Sequence, residues 1–372
     1  MSGTLGDDEA LMRRALALAE RGWGWVSPNP LVGAVVVAGE EVVGEGAHEE
    51  FGGPHAEVAA LRAAGSRARG ATLYVTLEPC AHQGKTPSCT EAILRAGVAR
   101  VVYAARDPSS EARGGAEALR AAGLEVAGGV LAAEAARANA AFHWRQRTGR
   151  PLVTLKLATS LDGRIAERKG VRTGLSGGEA RDETMRLRAG HDAILVGGGT
   201  ARVDDPSLTV RGRDAPRRPP VRVVLDSRGR LSPGSRLVRG AASAPVLLLT
   251  APDADARRTA RLEAAGVEIE QVPRDPAGGL DLVEALGRLK RRDLAAILCE
   301  GGGELAGRML AAGLVQRLVL FVAPVVLGPA GVPAFGRRGA SDGWALVECR
   351  PVGRDALLVW ESPELEAITG AD

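Results

Sequence analysis

The chain reads as an α/β protein made of two successive domains. Three observations predict this. Short apolar, β-branched runs alternate with helical stretches along the whole length, the pattern of sheets covered by helices. A polar, basic stretch, Arg145-Gln146-Arg147-Thr148-Gly149-Arg150-Pro151, interrupts the alternation, and a new apolar strand starts at once after it. Finally, 372 residues are too many for one typical core and suit two. The expected domains are residues 1–147 and 151–372.

In the first domain, Asp8 to Arg21 reads as a helix with Leu11, Ala15, Leu18 and Ala19 on one face. Ser27-Pro28-Asn29-Pro30 is a turn. Leu31 to Ala38 is apolar and β-branched, hence a strand, and Glu41 to Ala47 is its hairpin partner. His55 to Ala64 has helical composition. Thr72 to Leu77 is a buried strand that delivers Glu78-Pro79-Cys80 at its end. Thr90 to Ala96 is a short helix, Val98 to Ala104 a strand, and helices follow at Glu117 to Ala122 and Ala132 to Trp144. The second domain opens with a strand at Leu152 to Ala158. Further strands are expected at Ala193 to Val196, Val221 to Leu225, Pro245 to Thr250, Ala295 to Cys299 and Leu318 to Pro324. Helices are expected at Gly178 to Ala189, Ala256 to Ala265, Leu282 to Arg288 and Glu304 to Ala312.

Composition narrows the function. Hydrophobic residues make up 45% and charged residues 25%, typical of a globular protein. The net charge is only +3 and contains no basic block, which argues against nucleic acid as a main partner. Four cysteines do not make a disulfide framework. Cys299 and Cys349 lie in apolar sequence and are expected to be buried thiols. Met1 to Glu9 is polar and acidic, unlike a signal peptide. No stretch approaches the roughly 18 apolar residues of a membrane span. A cytoplasmic protein without a membrane partner is expected.

The chemistry begins with His55-Ala56-Glu57 and with Pro79-Cys80 followed, eight residues on, by Cys89. One imidazole and two thiolates form a three-ligand zinc set, which leaves the fourth tetrahedral position free for water. Zinc lowers the pKa of such water from about 15.7 toward roughly 7. Glu57 is placed to act as general acid and base. Helix starts near His55 and Cys89 favour thiolate through their dipoles. This pattern is similar to the signature of zinc-dependent deaminases of nucleobase-like rings. A closed structural site with His82 as fourth ligand is the alternative, but it leaves Glu57 and Pro79 without a purpose. His48 and His143 are assigned no role.

Two glycine clusters follow expected strands: Val196-Gly197-Gly198-Gly199-Thr200, and Glu300-Gly301-Gly302-Gly303-Glu304-Leu305-Ala306-Gly307. Glycines at a strand-to-helix turn let backbone N–H groups approach a phosphate. Neither cluster is G-x-G-x-x-G, so a Rossmann assignment is weak and ligand-free tight turns remain open.

Longer stretches carry a resemblance. Asn29-Pro30-Leu31-Val32-Gly33-Ala34-Val35-Val36-Val37, His55-Ala56-Glu57-Val58-Ala59-Ala60-Leu61 and Thr76-Leu77-Glu78-Pro79-Cys80-Ala81-His82-Gln83-Gly84-Lys85-Thr86-Pro87-Ser88-Cys89 closely resemble the bifunctional riboflavin-biosynthesis deaminase–reductases. So do Lys156-Leu157-Ala158-Thr159-Ser160-Leu161-Asp162-Gly163-Arg164, the run Ala193 to Arg211, Val224-Leu225-Asp226-Ser227 and the Glu300 to Gly307 loop. The resemblance implies a cytidine-deaminase-like three-layer α/β/α domain followed by a dihydrofolate-reductase-like α/β domain. It implies a phosphorylated diaminohydroxypyrimidine as substrate, Zn2+ in the first domain and NADPH in the second. Such enzymes commonly self-associate, so a homo-oligomer is expected.

By the same resemblance Asn29 holds the pyrimidine ring, and His82 and Lys85 contact substrate or phosphate. Ala158, Gly174, Thr200, Asp204 and Ser227 line the NADP site, with the turn Gly302, Gly303, Glu304, Leu305, Ala306, Gly307 and Arg308. Arg172, Arg188, Leu208, Arg211 and Glu300 contact substrate, and Arg188 and Arg211 suit its phosphate. Arg308 or Arg202 is placed to meet a 2′-phosphate, and Asp204 is a candidate proton donor. One stretch departs. The family commonly reads Gly-x-Ser-x-Trp-Ile-Thr where this chain has Gly170-Val171-Arg172-Thr173-Gly174-Leu175-Ser176. Either that pocket is rebuilt or reduction is weakened. A deaminase of another amino-pyrimidine or purine with an altered reductase-like domain is the alternative. A nucleic-acid editor and a non-catalytic nucleotide sensor are further ones.

Overall fold

A computed structural model describes residues 5–81, 88–110, 112–212, 215–336 and 342–370. The chain divides into two compact units. One runs to Gly149 and takes in the end of the chain from Ala367; the other is Arg150–Glu366.

The first unit contains α1 (Leu5–Ala19), β1 (Gly33–Ala38), β2 (Glu41–Ala47), α2 (Ala56–Ala64), β3 (Thr72–Leu77), α3 (Cys89–Ala96), β4 (Arg100–Ala105), α4 (Gly115–Ala121), β5 (Glu125–Gly128), α5 (Ala132–Ala138) and α6 (Ala140–Thr148). The strands form one sheet in the order β2-β1-β3-β4-β5. β1 is antiparallel to β2 and to β3, while β3, β4 and β5 are parallel. Met12, Ala15 and Leu18 of α1, Ala56 and Ala60 of α2 and Ile93 of α3 join Val35, Leu73 and Val101 of the sheet in one buried core. The expected hairpin β1–β2 is present. β5 is an addition; its four residues are too few and too small to show a period.

The single helix expected over residues 132–144 is two helices. The break falls at Asn139, whose φ of −107° and ψ of 28° leave the helical range. Its side chain binds the main chain of Leu31 instead: Oδ1 accepts from the Leu31 N–H at 2.7 Å, and Nδ2 donates to the Leu31 carbonyl at 2.8 Å. Asparagine competes well for backbone partners in this way.

The second unit contains β6 (Leu152–Ser160), β7 (Arg164–Ala166), α7 (Gly178–Ala189), β8 (Ala193–Gly197), α8 (Gly198–Asp204), β9 (Val221–Leu225), α9 (Arg236–Arg239), β10 (Val246–Thr250), α10 (Ala256–Ala264), β11 (Glu268–Gln271), α11 (Leu282–Arg291), β12 (Ala296–Cys299), α12 (Gly303–Ala311), β13 (Arg317–Ala323), β14 (Val332–Pro333), β15 (Ala345–Val352) and β16 (Asp355–Glu361), before α13 (Pro363–Thr369). Nine strands form one sheet in the order β11-β10-β9-β8-β12-β6-β13-β16-β15. The run from β11 to β13 is parallel. The hairpin β15–β16 closes it antiparallel. Strands buried on both faces read as continuous apolar runs, which is why β8, β10 and β12 were plain in the sequence.

The hairpin β15–β16 was not expected. Its outer strand, Ala-Leu-Val-Glu-Cys-Arg-Pro-Val, is largely exposed, carries two charges and ends near Pro351. Cys349 lies on this edge and is exposed, a correction to the expected buried thiol, whereas Cys299 is buried. No helix among the described residues is long and apolar enough to cross a membrane.

Candidate active sites

The three zinc-ligating types of the first unit sit where helices begin or a strand ends. His55 is the N-cap of α2, with extended backbone (φ −69°, ψ 157°). Cys89 is the first residue of α3, whose cap Ser88 accepts a hydrogen bond from the Glu91 N–H. Cys80 follows β3. His55 Nδ1 lies 3.1 Å from Cys89 Sγ and 3.7 Å from Cys80 Sγ, and all three donor atoms fall within 4.8 Å of one another. Zinc–sulfur and zinc–nitrogen bonds of about 2.3 and 2.1 Å at tetrahedral angles place donors about 3.5–3.8 Å apart. The donor set therefore fits zinc in type, and both His55–sulfur distances lie within about 0.5 Å of that spacing. The neighbouring Cys89 thiol lowers the Cys80 pKa, and the His55 imidazole pulls the same way, which favours its thiolate.

Glu57 stands in the first turn of α2 and is 4% exposed. Burial pushes its carboxyl above the usual range, against the pull of His55. Burial of a carboxyl favours its protonated form, which suits a group that must carry a proton.

The strand end that presents Cys80 is fixed by its own neighbours. Glu78 is buried; Oε1 accepts from the Gly114 and Ala116 N–H groups at 3.2 Å each, and Oε2 from Asp107 N–H at 3.4 Å. A Cβ on Gly115 would stand 1.7 Å from the Pro79 carbonyl, so only glycine allows this approach.

Asn29 is brought to the site through a residue given no role in the sequence. Its Nδ2 lies 3.1 Å from His48 Nε2, and His48 Nδ1 lies 3.0 Å from the Pro54 carbonyl. The His48 ring meets the His55 ring edge-on at 5.6 Å between centroids. A carbonyl only accepts, so Nδ1 carries the proton and Nε2 accepts from Asn29. Nothing in the spacing of His48 sets it apart from a surface histidine. His82 and Lys85 lie outside the described residues.

In the second unit, β12, β8 and β9 are parallel neighbours, so their C-terminal ends open on one edge of the sheet. Gly302 N–H donates to Thr200 Oγ1 at 3.1 Å and joins the two glycine turns. A Cβ on Gly303 would stand 2.3 Å from the Pro333 carbonyl, and Gly336 N–H donates to the Gly303 carbonyl. Leu305 and Ala306 turn into the core, Gly307 is buried, and Glu304 is exposed. The Ala306 N–H is occupied by the Gly302 carbonyl.

Arg308 does not reach this turn. Its Nη2 donates to the Leu280 carbonyl at 2.7 Å and to Asp275 at 3.2 Å. Ser227 follows β9, and Ala158 on β6 pairs with Phe321.

Glu300 and Arg188 are gathered as a two-pronged ion pair at 2.6 and 2.9 Å. Arg188 Nη1 also donates to the Thr209 carbonyl at 3.2 Å. All three guanidinium nitrogens thus have partners, and Arg188 holds Glu300 and the 204–211 segment rather than standing free for a phosphate. Burial opposes ionisation of Glu300, but Arg188 and then Lys156 outweigh it and hold its carboxyl below the usual range. Burial lowers the Lys156 ammonium, which lies 5.3 Å from the Phe321 ring centroid. Nothing in the sequence around Lys156 marks its burial beside Glu300.

Leu208 is 2% exposed, in the core with Ile194, Val196 and Ala201, at a φ of +50°. Its side chain is turned into the core, which leaves its backbone for any contact with a substrate. Buried Arg222 donates to the preceding Ser207 carbonyl at 3.1 Å and pins the segment. Arg211 and Arg172 are exposed, as is Gly174. Burial raises the half-buried Asp204, while Arg172 nearby lowers it. The segment with Arg172 and Gly174 is tied down by Arg354, which donates to the Leu175 carbonyl at 2.9 Å, and by Asp355, which accepts from Gly177 N–H at 2.8 Å.

Comparison with known proteins places each unit in a family. Residues 5–105 match the cytidine and deoxycytidylate deaminase zinc-binding region, and residues 151–358 match the RibD C-terminal domain. The riboflavin biosynthesis protein RibD of Escherichia coli is 39% identical, over 94% of this chain and 98% of its own. That of Bacillus amyloliquefaciens is 41% identical, over 88% and 87%. Among solved structures, Acinetobacter baumannii RibD superposes with a TM-score of 0.83 at 35% identity, covering 96% of this chain and 99% of its own. A diaminohydroxyphosphoribosylaminopyrimidine deaminase/5-amino-6-(5-phosphoribosylamino)uracil reductase from Thermotoga maritima does so with 0.83 at 34%, with the same coverage. With a zinc-binding deaminase region followed by a reductase domain, this chain belongs to the RibD family of zinc- and NADPH-dependent deaminase–reductases of riboflavin biosynthesis.

Proposed function

We propose that this chain hydrolytically deaminates a diaminohydroxyphosphoribosylaminopyrimidine, and then reduces the ribosyl group of the product to ribityl with NADPH. The Thermotoga maritima relative bears the names of these two activities. The observation that carries the reading is the convergence of His55, Cys80 and Cys89 within 4.8 Å, beside a carboxyl that is 4% exposed.

Zinc held by these three residues supplies Lewis acidity that lowers the pKa of water toward roughly 7. The rest is done by the chain. Glu57 takes a proton from the attacking water and returns protons to the ring nitrogen and to the departing ammonia. The shielded site keeps bulk water from competing for that proton. With its Nδ2 given to His48, Asn29 turns Oδ1 toward the site, where it accepts from an amino group or ring N–H.

In the second unit, NADPH when bound would supply the hydride for C1 of the ribosyl group, and the protein would bind and align the two partners. The free N–H groups at the start of α12 receive cofactor phosphate. Arg188 holds Glu300 ionised, where it accepts from substrate donors. The exposed Arg211 is the cation left for the substrate phosphate. Residues 1–147 carry the first step and 151–372 the second. The protein works in the cytoplasm as a homo-oligomer, with a small molecule rather than nucleic acid as partner.

The test supplies zinc-loaded protein with the phosphoribosylated diaminopyrimidine and NADPH, and reads ammonia and NADPH absorbance together. Ammonia followed by NADPH loss is expected. Ammonia alone would remove the second half of the reading, and no ammonia would remove the whole.

A further inference from the structure

The second unit has a cation placed at the adenosine end of the cofactor crevice, and this bears on the choice between NADPH and NADH. The strand order β9-β8-β12-β6 fixes which end is which. Glu300 follows β12 and Lys156 lies on β6, so the substrate and the nicotinamide that reduces it belong at that side. The joined turns at Gly302 and Thr200 lie in the middle and suit the pyrophosphate. The adenosine must then extend over the end of β9, two strand spacings or about 10 Å from β12.

The end of β9 carries Asp226 and Ser227. An acidic residue here would ordinarily take the ribose 2′-hydroxyl and favour NADH. Asp226 is 4% exposed and already engaged. Its Oδ2 accepts from the Arg230 N–H at 2.7 Å and from Arg202 Nη1 at 3.3 Å, and Oδ1 accepts from the Arg228 N–H at 3.4 Å. Arg202 comes from α8 and lies across Gly198: a Cβ there would stand 3.0 Å from Arg202 Nη1 and 2.9 Å from Asp226. One face of the guanidinium is thus held by Asp226, while a third of the side chain stays accessible (34%). A pre-oriented guanidinium with free donors matches a phosphate better than a sugar hydroxyl. Arg308, the other cation near the turns, is committed to Asp275 and Leu280.

We propose that Arg202 grips the 2′-phosphate of NADPH and sets the preference of the reductase unit for NADPH over NADH. The inference rests on the reductase reading above.

The experiment titrates wild type, Arg202→Ala and Arg202→Lys with NADPH and NADH, and with adenosine 2′,5′-bisphosphate and AMP, following binding directly by calorimetry. Wild type is expected to favour the phosphorylated member of each pair. Arg202→Ala should lose about tenfold or more of that preference, the worth of a charged hydrogen bond, with little change for NADH and AMP. Arg202→Lys should keep part of it, because charge remains and the fork is lost. Unchanged NADH and AMP binding and an unchanged unfolding transition of the second unit report that each variant is intact. The inference is overturned if Arg202→Ala keeps the full preference, or if wild type binds NADH as well as NADPH; either result leaves the reductase reading standing. If wild type binds neither dinucleotide, the reductase reading fails and takes the inference with it.

Discussion

The two units build their sites from different material. In the first, the working groups are side chains: an imidazole, two thiols and a carboxyl, delivered by two helix starts and one strand end. In the second, much of the surface is backbone: glycine turns at the ends of parallel strands, backed by buried ion pairs that never leave the protein. A side-chain site can lose its chemistry and keep its fold. A site made of turns and buried pairs loses both together. Substitutions should therefore separate activity from stability in the first unit and couple them in the second.

The sharpest test of that contrast is Glu57→Gln. Ammonia release should fall by about a hundredfold to ten-thousandfold, the range of general acid–base catalysis. Zinc content and thermal midpoint should stay put, and NADPH should still be consumed when the deaminated intermediate is supplied. A variant retaining more than a tenth of the wild-type rate would remove Glu57 from the proton path.

Arg188→Met probes the other side. It strands the Glu300 carboxylate in a buried place, where breaking such a pair costs about 3–5 kcal/mol. Denaturant unfolding should show that loss in the second unit, and Arg188→Met with Glu300→Leu should recover stability without recovering reduction. Full stability in the single variant would mean that the pair is solvated and that the contrast is overstated.

A smaller effect sharpens the comparison within the first unit, away from its metal. His143 is 3% exposed, with neither ring nitrogen hydrogen-bonded, and burial lowers its pKa to about 4 from the usual 6.5. As pH falls, the unfolded chain binds this proton first. Stability is then complete above pH 6.5 and is lost as pH falls toward 4, by about 3 kcal/mol. His143→Phe should flatten that part of the melting-temperature profile relative to wild type. Parallel profiles would show that the ring finds a partner for its proton.

The smallest effect concerns the departing loop. A Cβ on exposed Gly174 meets nothing within 4 Å, so a side chain can start there without a backbone clash. Arg172→Ser with Gly174→Trp should leave stability within about 0.5 kcal/mol and lower the KM for NADPH a few fold. An unchanged KM would show that the loop has no part in cofactor binding.

These differences also explain what could be read from the sequence. His55, Cys80 and Cys89 stood out because few residue types bind zinc and their identity alone is a signal. The parallel strands stood out because burial on both faces demands unbroken apolar runs. His48 gave no signal, since its place beside Asn29 depends on a fold that brings residues 29 and 48 together. Sequence neighbours on α12 were read as one cofactor surface, yet a helix turns by about 100° per residue. Leu305 and Ala306 therefore face the core, and Arg308 reaches Asp275. The β15–β16 hairpin escaped because an exposed edge tolerates charges and a proline that a buried strand would not.

Asn139 has a practical meaning for anyone who wishes to dissect the chain. The zinc-binding match stops at residue 105, and a fragment ending there holds every zinc ligand. It would nonetheless lack the amide that clasps both main-chain groups of Leu31, two residues from Asn29. The turn that presents Asn29 would be left open on one side. The shortest fragment worth expressing runs past the motif by some forty residues, to the end of α6 at Thr148.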